Sequence, residues 1–201
     1  MKKVLLALIA IMLMATTSHA LTVVDFEGLP DDFYYMGGSQ NLGDYYEGIT
    51  FGQEATILDR NIYGYNDSGY PPHSGDAVLF SVSTPLIRVD FDDATNHVEM
   101  WYTINYTEIQ LQAFNADGDL IAEATGDDNY TSNDFIEVNT AGFDISYVEI
   151  HDSGNYFTID DFGWEETTGG GGGDPIPEPT TILLLASGLL GMGGISRFRR
   201  K

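Results

Sequence analysis

The sequence predicts an all-β fold, an antiparallel β-sandwich (jelly roll) held between two terminal segments that are not part of it. Ten short apolar runs, a two-residue alternation within them and the lack of any useful amphipathic helix carry that prediction. The runs are Val23–Phe26, Ile49–Phe51, Ala77–Phe80, Ile87–Phe91, Val98–Ile104, Ile109–Ala113, Leu120–Ala124, Phe135–Val138, Ile145–Ile150 and Tyr156–Phe162. Ile109, Leu111 and Ala113 alternate with Gln110 and Gln112, as a half-buried strand requires. Asn115-Ala116-Asp117-Gly118-Asp119 between two such runs reads as a hairpin. Residues 37–48 and 60–75 are long loops rich in Gly, Tyr and Asn, the kind of segment on which recognition usually sits.

The two termini read as routing signals. Lys2 and Lys3, an apolar stretch from Val4 to Ala15 and the small-x-small site Ser18-His19-Ala20 describe a signal peptide over residues 1–20. The mature chain then starts at Leu21, with a sandwich domain over residues 21–166 and a Gly-rich linker over 167–175. Residues 176–201 carry Pro177-Glu178-Pro179, an apolar run from Thr180 to Ile195, and a basic tail of Arg197, Arg199, Arg200 and Lys201. Sixteen helical residues rise about 24 Å, short of a bilayer core of about 30 Å. Ile176, Phe198 and snorkelling arginines extend this to a thin span, a single transmembrane helix. The terminal cations hold its end in the cytoplasm.

This tail resembles the PEP-CTERM sorting signal of Gram-negative bacteria from Pro177 to Lys201. The resemblance implies export, a transient anchor in the inner membrane through the C-terminal helix, and processing by an exosortase. It also implies residence at the cell surface or in a biofilm matrix, in company with exopolysaccharide.

Charge narrows the partners. Residues 21–166 hold 29 of the chain's 31 acidic residues and only two basic ones, Arg60 and Arg88, for a formal charge of −27. Nucleic acid and anionic lipid are repelled by such a body; cations and neutral polymers are not. With no cysteine, a hydrophobic core or a metal must hold the exported domain together.

The two ends of the domain carry its most suggestive chemistry. Asp25-Phe26-Glu27-Gly28 falls on the first predicted strand, and Phe157-Thr158-Ile159-Asp160-Asp161-Phe162 on the last. Strand alternation turns one of the two aspartates toward the core side, and an unpaired buried carboxylate is costly. The pairing resembles the jelly roll of carbohydrate-binding modules, in which the first and last strands meet and carboxylates bind a structural calcium. The resemblance implies Glu27 with Asp160 or Asp161 as ligands of Ca2+, the shell of six to eight oxygens being completed by carbonyls or other carboxylates. Asn115–Asp119 lacks the distal glutamate of an EF-hand, position 126 being glycine, and stays a hairpin.

Sugars stack on exposed rings. The loop residues Tyr63, Tyr65 and Tyr70 are the candidate glycan contacts, with Tyr34, Tyr35, Tyr45 and Tyr46 earlier in the chain, whereas Trp101 on its strand reads as core. Nothing commits the chain to catalysis. No Gly-x-Ser-x-Gly elbow occurs in the domain, and His73, His97 and His151 stand apart in sequence. The expectation is a non-catalytic surface or matrix protein that binds exopolysaccharide. An adhesive protein acting through protein contacts and a secreted glycan hydrolase are the alternatives.

Overall fold

A computed structural model describes residues 20–35, 41–61, 69–127 and 131–166. The signal peptide, the linker, the whole sorting tail, Tyr63 and Tyr65 lie outside the described residues. Among those described, no helix is long and apolar enough to cross a membrane.

Among the described residues, eleven strands form two antiparallel sheets that pack as a sandwich. They are β1 Leu21–Val24, β2 Ile49–Phe51, β3 Ala55–Asp59, β4 Ala77–Ser81, β5 Leu86–Thr95, β6 His97–Ile104, β7 Gln110–Phe114, β8 Leu120–Thr125, β9 Thr131–Asn139, β10 Ile145–His151 and β11 Phe157–Glu165. One sheet runs β3-β4-β11-β6-β9, with β1 also on β11; the other runs β2-β5-β10-β7-β8. Ten strands overlap the predicted runs. The eleventh, β3, is not among them: in Ala55-Thr56-Ile57-Leu58-Asp59 only Ile57 and Leu58 are adjacent large apolar residues, too few to mark a run.

The core follows from the alternation. Val98, Met100 and Tyr102 on β6, Leu111 and Ala113 on β7, and Val148 and Ile150 on β10 are all buried between the sheets. An aromatic chain crosses the interior: Phe26 lies 5.9 Å from Phe51, and Phe51 lies 5.9 Å from Phe162, both edge to face. Asn115 Oδ1 accepts the Asp117 and Asp119 N–H groups and Gly118 takes φ +84°, so the β7–β8 hairpin forms as predicted.

The register of β11 prepares the site. β11 meets β4 at Ile159↔Leu79 and β1 from Val24↔Phe162 onward. Asp160 and Asp161 fall in the gap between these two neighbours. A bulge there shifts the pairing with β6 between Asp160↔Trp101 and Gly163↔Glu99, with Asp161 at φ +45°.

Candidate functional site on the outer faces of the sandwich

The predicted carboxylates converge on one short segment, residues 73–77. The first strand ends earlier than its apolar run suggests, at Val24, because Phe26 takes φ +61° and Gly28 φ +67°. Asp25 Oδ1 accepts the Glu27 N–H and closes that turn, so Glu27 projects from a turn rather than from a strand. Its Oε1 accepts the N–H groups of Asp76 at 2.6 Å and Ala77 at 2.8 Å. From the other side, Asp160 Oδ2 accepts the Ser74 N–H and Asp161 Oδ1 accepts the Ser74 hydroxyl, each at 2.8 Å. Gly75 sits between the two groups at φ +52°, where a Cβ would lie 2.2 Å from Glu27 Oε1. The Arg60 guanidinium bonds the Asp76 carboxylate and the Gly75 carbonyl.

Asp160 is 2 % exposed. Burial pushes its carboxyl up to about 6; the Ser74 N–H opposes this, and the Asp161 charge adds to it. Strand alternation alone does not describe the pair. Asp160 shares the outer face with Trp101, and the bulge lets Asp161 bend to the same segment.

That segment covers one end of the outer face of the six-stranded sheet. The His73 ring stacks on Trp101 with centroids 3.7 Å apart, and His73 Nδ1 lies 2.6 Å from Asp161 Oδ2. Thr103 Oγ1 donates to the Pro71 carbonyl, and Asn133 Nδ2 to that of Pro72. Trp101, read as core from its strand neighbours, instead points outward and is shielded by His73 and Phe135. Farther along the same face, His97 is held between Asn139 and Glu99.

The outer face of the five-stranded sheet is built differently. Gln110, Gln112 and Phe114 of β7 lie opposite His151, Glu149 and Tyr147 of β10, and Glu149 and Tyr147 lie opposite Arg88 and Asp90 of β5. Arg88 rests 3.6 Å above the Tyr147 ring, and Phe114 is stacked on that ring at 4.8 Å. At one end, Thr107, Glu108, Gln110, His151, Asp152 and Ser153 line a cleft of about 430 Å³. Asp152 holds its rim: it accepts the Thr107 hydroxyl and the N–H groups of Gly154, Asn155 and Tyr156. Beside it stand Tyr106, 72 % exposed, and Tyr156, 42 % exposed, edge to face at 4.9 Å.

Of the predicted glycan contacts outside residues 63 and 65, Tyr35, Tyr46 and Tyr70 are half-buried, Tyr45 is exposed, and Tyr34 is buried in the core and so is unavailable to a sugar. Tyr106 and Tyr156 were not among the candidates. Each sits in a short Asn-containing turn beside a strand end, a signal that the long-loop criterion passed over. Sequence alone likewise gave no reason to connect Glu108 with Asp152.

Residues 175–201 match a family model described as the PEP-CTERM protein-sorting motif. The motif marks a secreted protein with a C-terminal sorting signal and implies processing by an exosortase. No curated protein matches the chain. Among solved structures the domain is similar to the CBM22-1 xylan-binding domain from Paenibacillus barcinonensis, at 8 % identity and TM-score 0.42, covering 75 % of this chain and 97 % of that one. It is also similar to a family 32 carbohydrate-binding module from C. perfringens in complex with galactose, at 14 % identity and TM-score 0.35, covering 58 % and 93 %. The K2 cleaved adhesin domain of Lys-gingipain, a Porphyromonas gingivalis protein, shows 16 % identity and TM-score 0.45, covering 74 % and 99 %. These likenesses concern the β-sandwich.

Proposed function

We propose that this is a non-catalytic glycan-binding protein, sorted by an exosortase to the cell surface or extracellular matrix, with exopolysaccharide as its ligand. The outer face of the five-stranded sheet and its cleft carry the proposal. Gln110, Gln112, Glu149 and His151 present amide, carboxylate and imidazole groups in a row, suited to sugar hydroxyls. Tyr106 and Tyr156 offer ring surface beside the cleft, where pyranose C–H faces can stack.

The same geometry argues against hydrolysis. A glycosidase needs two working carboxylates about one bond. The cleft holds Glu108 and Asp152, but both Asp152 oxygens are spent on the loop that they shape.

Calcium belongs to this proposal as a structural ion. Asp160 is a buried carboxylate beside a second one, a charge that a hard cation relieves. Glu27, Asp160 and Asp161 do not all bring ligand oxygens within 4.8 Å of one another. Glu27 with one aspartate and carbonyls of the chain would therefore hold it. The ion would supply positive charge and lock the covering segment.

The test is native affinity electrophoresis of residues 21–166, whose core is complete between Val24 and Trp164, in gels containing the host's exopolysaccharide. Retardation that Tyr106→Ala with Tyr156→Ala abolishes is expected. Unretarded migration of a folded sample would move the assignment to adhesion through protein contacts, and turnover of the glycan would make the protein an enzyme.

A further inference from the structure

We propose that His97, Glu99 and Glu137 form a site for a divalent transition metal, with zinc as the representative ion, on the outer face of the six-stranded sheet where β6 meets its edge strand β9. The three side chains come from adjacent strands in register. Glu99 of β6 stands directly opposite Glu137 of β9, and His97 stands opposite Asn139. One ligand atom from each of the three residues lies within 4.8 Å of the others.

Two observations beyond proximity point to a cation. The first is the imidazole. His97 Nδ1 lies 2.6 Å from Asn139 Oδ1, and Nε2 lies 2.9 Å from Glu99 Oε2. Both neighbours are acceptors, and a neutral ring has only one N–H to donate. With Nδ1–H given to Asn139, the Nε2 lone pair faces the Glu99 carboxylate, an arrangement that a metal at Nε2 completes and that a second ring proton or a turned Asn139 amide completes without one. An acceptor holding the far ring nitrogen is also the usual way a ligating histidine is oriented. Two donors each about 2.1 Å from one tetrahedral zinc stand roughly 3.4 Å apart, so the Nε2–Oε2 pair, now at 2.9 Å, opens by about half an ångström when the ion enters.

The second is the charge balance. Like charges directly across two strands repel, and among the described residues no arginine relieves Glu99 and Glu137, which leaves His97 as the neighbour able to carry a balancing charge. Arg60 bonds Asp76, and Arg88 bonds Asp90. Gly163, opposite Glu99 on β11, leaves the room in which the Glu99 side chain lies; a Cβ there would meet Glu99 Cγ at 3.0 Å. Glu137 is exposed, so an ion can enter from solution and keep water in its remaining positions.

One imidazole nitrogen and two carboxylates suit zinc, copper or nickel and disfavour calcium, which takes oxygen ligands only. This separates the site chemically from the carboxylates at residues 27, 160 and 161. The site does not depend on glycan binding.

The test is isothermal titration calorimetry of the purified protein with zinc chloride, and separately with calcium chloride, at neutral pH. Wild type is expected to bind one equivalent of zinc in the micromolar range. His97→Gln and Glu137→Gln should each weaken that binding at least tenfold without altering the calcium isotherm. Glu137 is exposed, so its variant folds; an unchanged melting temperature without metal verifies this. A zinc isotherm that is flat in wild type, or identical in both variants, overturns the proposal.

Discussion

The two outer faces of the sandwich obey the same strand alternation and end in opposite states. On the six-stranded sheet, Thr158 and Asp160 are buried because residues 69–76 fold over them, fastened by Ser74, His73, Thr103 and Asn133. On the five-stranded sheet, Gln110, Gln112, Glu149 and His151 remain half-exposed, and Gln110 and His151 line a cleft. The difference lies in backbone donors. The covered face has a segment whose N–H groups meet buried carboxylates, and the open face leaves its polar groups to water or a ligand. Burial of charge makes the first face a structural device, and exposure of hydrogen-bonding groups suits the second to the recognition proposed for it.

Gly75→Ala should break the covered face most severely. The new Cβ meets the Glu27 carboxylate at a positive φ, and a loss of about 2–4 kcal/mol in urea unfolding is expected. A loss under about 1 kcal/mol would show that the segment is not pinned as described. Calcium sharpens the contrast from the other direction. Saturating calcium should raise the melting temperature by about 5 °C or more over chelator, and no shift would remove the ion from this face.

The acid response is next. The Asp160 carboxyl titrates near 6 in the fold, against an ordinary value near 4 in the unfolded chain. Between those values the folded protein holds a proton that the unfolded chain has released. This group's contribution therefore makes stability fall as pH rises from about 4 to about 6 in calcium-free buffer. Comparing Asp160→Asn with wild type isolates that slope; equal pH profiles would mean that Asp160 is ionised without cost. The smallest effect on stability belongs to the open face. Gln112→Ala should change unfolding free energy by less than about 0.5 kcal/mol, yet lower retention on polysaccharide a few-fold. A stability loss comparable to that of Gly75→Ala would mean that this face, too, is structural.

Most strands were legible in the sequence because each carries a contiguous apolar run, and β3 was not because Thr56 and Asp59 leave it only two adjacent large apolar residues. The tail was legible as well: Pro177-Glu178-Pro179, the apolar run and the basic cluster are contiguous, and residues 175–201 match the sorting motif. The meeting of β1 with β11 was expected from the resemblance and is present. The positions of Glu27 and Trp101 were not legible, since φ values at Phe26 and Gly28 and the packing of His73 decide them.

By itself, then, the sequence determined the class of fold, the acidity of the domain, and the C-terminal sorting motif. These depend on composition and on local order. Only the tertiary structure decided which carboxylates meet. It brought Glu27 and Asp160 to one segment 73–77, set His97 across from Asn139 and Glu99 across from Glu137, and joined Glu108 with Asp152 in a cleft. Contacts between residues far apart in the chain depend on register, bulge and turn, and no local pattern of residues encodes these.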